Sequence, residues 1–184
     1  MRAESIRAHL RIYSIYQKRK TTINHAFASA LAPSSDYSPA AMTEALSVLG
    51  QEATSDLLCV YCGASAETWD HLTGLVKNSE LAGYGHQLGN LAPCCRHCNS
   101  RKGSKDWQVF VQEDLSEPRR SEVAARLTEY QQRFAQPIDV PMARTRLPAE
   151  WARYDSLRAE IHRLMQDADR IAENLRTSFG PGGA

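Results

Sequence analysis

The stretch from Leu58 to Lys105 reads LCVYCGASAETWDHLTGLVKNSELAGYGHQLGNLAPCCRHCNSRKGSK, and its reading decides the fold. It carries two C-x-x-C pairs, Cys59/Cys62 and Cys95/Cys98. Four thiolates in two such pairs suit one tetrahedral zinc ion, because each short knuckle turns both sulfurs towards a common point. With all four positions filled, such a site is closed and structural. A lone pair of this spacing also reads as redox-active or accidental. Two pairs flanking polar, glycine-rich sequence favour the metal. Cys94 stands outside the C-x-x-C register and is expected to be a buried spare.

Zinc leaves several polar residues of the stretch unused. Asp70, His71 and Asn99 offer a carboxylate oxygen, an imidazole and an amide oxygen. The two oxygens are hard ligands of the kind magnesium or manganese takes. The imidazole is suited to accept a proton from water near neutral pH. Neighbouring residues on a strand point to opposite faces, so Asp70 and His71 would address a cleft from different directions. A metal that offsets charge and a base that prepares water together suffice for hydrolysis of a phosphodiester.

With these residues in view, the segment resembles the HNH endonuclease family, the zinc-stapled members of the ββα-metal fold. The resemblance rests on Cys59-x-x-Cys62, Asp70-His71, Asn90, Cys95-x-x-Cys98-Asn99 and Lys102-Gly103, and spans roughly residues 57–107. It implies that His71 is the general base and that Asp70 and Asn99 ligate one catalytic Mg2+ or Mn2+. It implies that Asn90 braces the loop and orients the base, and that Cys59, Cys62, Cys95 and Cys98 hold a structural Zn2+. Asn99 stands where the family commonly has a histidine, a departure that favours an oxygen-rich, magnesium-type site.

Other residues have plainer readings. Asn90 next to Gly89 also reads as a turn residue, and Asn99 as a cap of the second knuckle. His86 is a phosphate contact or a loop residue. His97 is expected to be exposed. Arg96, Arg101, Lys102 and Lys105 are solvated charges by default; within a nuclease they become candidate phosphate contacts. Trp69 and Trp107 are expected in the core.

The chain has 184 residues, 42% of them hydrophobic, and a formal net charge of +1. It therefore has material for a core and is not a bulk polycation. Basic residues cluster locally, at Arg2, Arg7, Arg11 and Lys18-Arg19-Lys20, and again over residues 96–105, and local patches matter more than the total for binding phosphates. No apolar run approaches the roughly 20 residues of a membrane helix, and the N-terminus lacks a secretory apolar segment. Reduced thiolates with zinc fit an intracellular, cytoplasmic protein of prokaryotic or phage type.

The expected architecture is α+β: a small ββα-metal, zinc-bound HNH core flanked by N-terminal and C-terminal helices. Residues 1–56 form the helical entry, 57–107 the core, 108–136 a helical segment, 137–148 a proline-rich linker and 149–178 a long helix. Residues 74–89 read as a long glycine-containing loop. Tyr154, Leu157, Ile161, Leu164, Ala168, Ile171 and Leu175 make a heptad seam, suited to packing on the chain's own helices or on a twin. The closing GPGGA reads as a frayed end.

The leading expectation is a metal-dependent endonuclease cutting double-stranded DNA, with some leaning to the restriction type. The flanking helices would supply target binding or a homodimer interface, and a symmetric dimer would place one cutter on each strand. The alternative is a non-catalytic zinc module that binds nucleic acid or protein; it leaves Asp70-His71 with Asn99 unexplained.

Overall fold

The computed structural model describes residues 3–179; Arg2 and the GPGGA tail lie outside the described residues. Helices and two small sheets share the chain, so the class is α+β. It divides into two compact units, residues 28–143 and residues 1–27 with 144–184.

In the first unit, Ser38 opens α2 (Pro39–Val48): its Oγ accepts from Ala41 N–H at 3.3 Å, and Pro39 takes the first helical turn, where no N–H is missed. Gly50, at φ +71°, follows the last turn and leads into the first knuckle. Strand β1 (Thr68–His71) pairs antiparallel with β4 (Leu91–Cys94), with Asp70 opposite Ala92 and His71 opposite Leu91. Between them β2 (Val76–Lys77) and β3 (Glu80–Leu81) form a tight hairpin. Asn78 and Ser79 turn it with positive φ, the geometry that matches the strand twist. The stretch read as a continuous loop thus contains a hairpin, too short to show two-residue periodicity.

Three helices close this unit: α3 (Arg96–Lys102), α4 (Trp107–Asp114), capped by Asp106, and α5 (Arg119–Phe134). Val123, Leu127 and Tyr130 recur on one face of α5 and are buried with Leu46, Tyr61, Leu72 and Phe110. Tyr61 meets Phe110 edge to face, ring centroids 5.0 Å apart. Trp107 is buried as expected, whereas Trp69 is 43% exposed. The strand's alternation explains the correction: Asp70 faces inward, so Trp69 faces out.

The second unit is helical. A 3-10 turn (Ala3–Ala8) precedes α1 (Ile15–Leu31), and α7 (Pro148–Phe179) closes the chain; α6 (Val140–Arg146) lies within the stretch expected to be a linker. Asp169 of α7 caps the start of α1, accepting from Ile15 N–H at 2.7 Å, Tyr16 N–H at 3.1 Å and the Ser14 hydroxyl at 2.6 Å. A carboxylate at the positive end of a helix dipole is favourably placed. Phe27 packs on Tyr154 at 4.9 Å, and the Tyr154 hydroxyl donates to Phe27 O. Along the heptad seam, Ile161 and Ala168 are half-buried, while Leu157, Leu164, Ile171 and Leu175 are exposed. No helix among the described residues is long and apolar enough to cross a membrane.

Candidate functional site

The two knuckles meet. The Sγ atoms of Cys59, Cys62, Cys95 and Cys98 all lie within 4.8 Å of one another, and Cys62 and Cys95 are 3.7 Å apart. Zinc–sulfur bonds of about 2.3 Å in a tetrahedron put the sulfurs about 3.8 Å apart, so the cluster fits a zinc ion. Backbone hydrogen bonds shape both knuckles. Cys59 N–H donates to Ala64 O, Val60 N–H to Pro93 O, and Cys98 N–H to the Cys95 sulfur. Arg119 of α5 donates to Tyr61 O and Val60 O, tying the first knuckle to the core. Sequence reading missed Arg119, since nothing in a lone arginine marks the carbonyls it will meet. Cys94 is fully buried, and its thiol, 3.9 Å from the Cys59 sulfur, pulls the Cys59 thiol down to about 4.

On the core side of β1 stands Asp70, 4% exposed, with both oxygens engaged. Tyr61 OH donates to Oδ2 at 2.7 Å, and Lys102 Nζ donates to Oδ1 at 3.1 Å. Burial pushes the Asp70 carboxyl above its ordinary range, while the Lys102 ammonium and the Tyr61 hydroxyl pull it back. Lys102 is itself 3% exposed and also donates to His71 O at 2.7 Å. The tertiary fold therefore buries one of the lysines expected to be solvated. Lys102 lies one helical turn after Asn99 on α3, facing β1, and there it meets the buried carboxylate.

This arrangement does not fit the catalytic divalent ion that the resemblance implies. Each Asp70 oxygen already accepts a hydrogen bond at a site only 4% exposed, and the Lys102 ammonium beside it repels a further cation. Asn99 is half-buried on the same helix. Among the described residues, the cysteine cluster is the one grouping of three or more His, Cys, Asp or Glu side chains spaced for an ion.

His71 turns to the other side of β1 and meets His86. His71 Nε2 and His86 Nδ1 are 3.1 Å apart, with the rings edge to face at 5.0 Å. Burial holds the His71 imidazole below its ordinary value, helped by the charges of His86 and Lys102. Asn90, fully buried, fixes the backbone on both sides of this pair. Its Oδ1 accepts from Thr73 N–H at 2.9 Å, and its Nδ2 donates to Thr73 O at 3.1 Å and Gly85 O at 3.0 Å.

The expected phosphate contacts separate. Arg96, Arg101 and Lys105 are exposed but have acidic neighbours brought from elsewhere in the chain: Glu67 for Arg96, Asp114 for Arg101, and Glu113 with Asp114 for Lys105. The pairs with Glu67 and Glu113 are exposed, worth little and yield readily to a phosphate, whereas Asp114 is only 14% exposed and holds Arg101 and Lys105 more closely. His97 is exposed as expected. Set against known protein families, curated proteins and solved structures, the chain matches none.

Proposed function

We propose that this protein is a DNA endonuclease in which a zinc-stapled β1–β4–α3 unit presents His71 as the general base of phosphodiester hydrolysis. The observation that carries the reading is the state of His71. It is half-buried at the end of β1, its Nε2 is engaged by His86, and its Nδ1 takes no hydrogen bond among the described residues. An imidazole held from one nitrogen with the other free is arranged to take a proton from water. In that step the water oxygen bonds to phosphorus as its proton passes to His71, the P–O bond to the leaving oxygen breaks, and solvent protonates the alkoxide. Arg96 lies within the second knuckle and Arg101 and Lys105 on the segment that follows it, where a DNA backbone would find exposed cations.

The zinc, held by Cys59, Cys62, Cys95 and Cys98, contributes folding energy rather than chemistry. One observation favours the non-catalytic alternative, a zinc module that only binds nucleic acid or protein: Asp70 is closed by Tyr61 and Lys102. Cleavage of long double-stranded DNA by zinc-loaded protein, with and without Mg2+ or Mn2+, separates the two readings. His71→Ala is expected to lower the cleavage rate by about 100- to 10,000-fold while leaving binding intact. Binding without cleavage by the unaltered protein under every condition would leave the non-catalytic reading.

A further inference from the structure

The geometry points to His86 as the positioning residue that fixes the tautomer of His71, holding the proton on Nε2 and leaving the Nδ1 lone pair for water. This rests on the reading of His71 as the base. It gives His86 a role other than touching phosphate.

Two imidazoles in contact can share their proton in two ways. In one, His71 Nε2–H donates to His86 Nδ1; in the other, His86 Nδ1–H donates to His71 Nε2. The first leaves both neutral rings protonated on Nε2, the tautomer that free imidazole side chains prefer in water. The second forces both rings into the less favoured form and puts a proton on the nitrogen that must accept one. The first arrangement also improves as the reaction proceeds. When His71 Nδ1 takes the water's proton, the ring becomes an imidazolium whose Nε2–H still donates to His86, now as a charge-assisted hydrogen bond. In serine hydrolases a carboxylate orients and stabilises the histidine in this way; here a neutral imidazole does so.

The backbone on both sides is anchored, and it sets the exposed His86 side chain against His71. On the His71 side, β1 is paired with β4, and Lys102 anchors the His71 carbonyl. On the His86 side, Ser35 N–H donates to His86 O at 3.2 Å, and Asn90 holds the carbonyl of Gly85. Gly85 lies flush on the backbone of Pro33: a Cβ there would stand 1.9 Å from Pro33 O. Gly89, at φ +83°, lies likewise on Ala135, whose N would be 2.1 Å from an added Cβ. Any side chain at either position would push the loop off its support and move His86 away from His71. A loop residue that only met phosphate would need no such seating.

The test compares His86→Phe, which keeps a ring but removes the acceptor, with His86→Asn, whose Oδ1 restores an acceptor near the Nδ1 position. Zinc content and thermal melting show that each variant is folded. On supercoiled plasmid DNA, His86→Phe is expected to lower kcat by about 10- to 100-fold with KM nearly unchanged, and His86→Asn to recover most of it. Imidazole 15N shifts of the unaltered protein are expected to show His71 protonated on Nε2, and His86→Phe to release it to a tautomer mixture. His71 protonated on Nδ1 in the unaltered protein would overturn the proposal. So would a His86→Phe variant that changes KM alone. The tautomer is read without any turnover, so a protein that cleaves nothing would refute the nuclease reading and still decide the role of His86.

Discussion

The two units of this chain are held together by different physics. Residues 28–143 build a core of fully buried rings and aliphatic groups around a metal-ready sulfur cluster. Residues 1–27 with 144–184 have no buried residue on their longest helix, α7. What holds them is half-buried aromatic contacts and a carboxylate cap. Burial yields stability in proportion to apolar area removed from water and favours one arrangement. A set of polar caps and partly wet rings yields less and opens more readily. The unit with the candidate chemistry is therefore expected to be the rigid one, as a site with a preset imidazole requires.

Metal removal should break the comparison most sharply. Structural zinc contributes on the order of 10 kcal/mol to small domains, so chelation is expected to unfold residues 28–143 while helical signal from α7 persists. Circular dichroism with hydrogen exchange tests this, and loss of both units in one transition would show that the division is not energetic. Cys95→Ser is expected to act like chelation, whereas Cys94→Ser retains zinc, because Cys94 is not one of the four clustered sulfurs.

Next in size is the buried ion pair. Lys102→Met leaves Asp70 without its cation in the interior and is expected to cost about 3–5 kcal/mol in chemical denaturation. The double variant Asp70→Asn with Lys102→Met should recover a large part of that, because the unpaired charge is gone. An additive double variant would mean that the two groups are independently solvated. Truncation of the cores sharpens the contrast further. Leu127→Ala is expected to cost about 2–5 kcal/mol, and Leu164→Ala, exposed on α7, within about 0.5 kcal/mol.

The smallest effect separates the units by pH. Hydrogen bonds from Ser14, Ile15 and Tyr16 hold the Asp169 carboxyl below its ordinary value. A depressed folded pKa means that this contribution is complete above about pH 4, the unfolded value, and fades as pH falls through the folded one. Asp169→Asn is expected to increase hydrogen exchange at the start of α1 at neutral pH, with the difference from the unaltered protein closing in acid. A difference that persists unchanged at low pH would refute the carboxylate cap.

Local chemistry made much of this legible. Pro39 suits the first turn of α2, the spacing of Val123, Leu127 and Tyr130 announces α5, and the C-x-x-C spacing announces the sulfur cluster, because each signal acts within one or two turns of chain. The β2–β3 hairpin escaped because two residues per strand carry no period. Asp70 and His71 were visible as chemistry-bearing residues, but their partners were not.

By itself the sequence determined the α+β class, the four cysteines that fit zinc and the longer helices, though not α6 in the stretch read as a linker, since propensity and knuckle spacing are local. Only the tertiary structure decided which charges are buried and which imidazoles touch. It carried Lys102 onto Asp70, seated Gly85 on Pro33, set His86 against His71, and gave Arg96, Arg101 and Lys105 their acidic neighbours. Desolvation and hydrogen bonding act through space between residues far apart in the chain, and no spacing in the sequence encodes those distances.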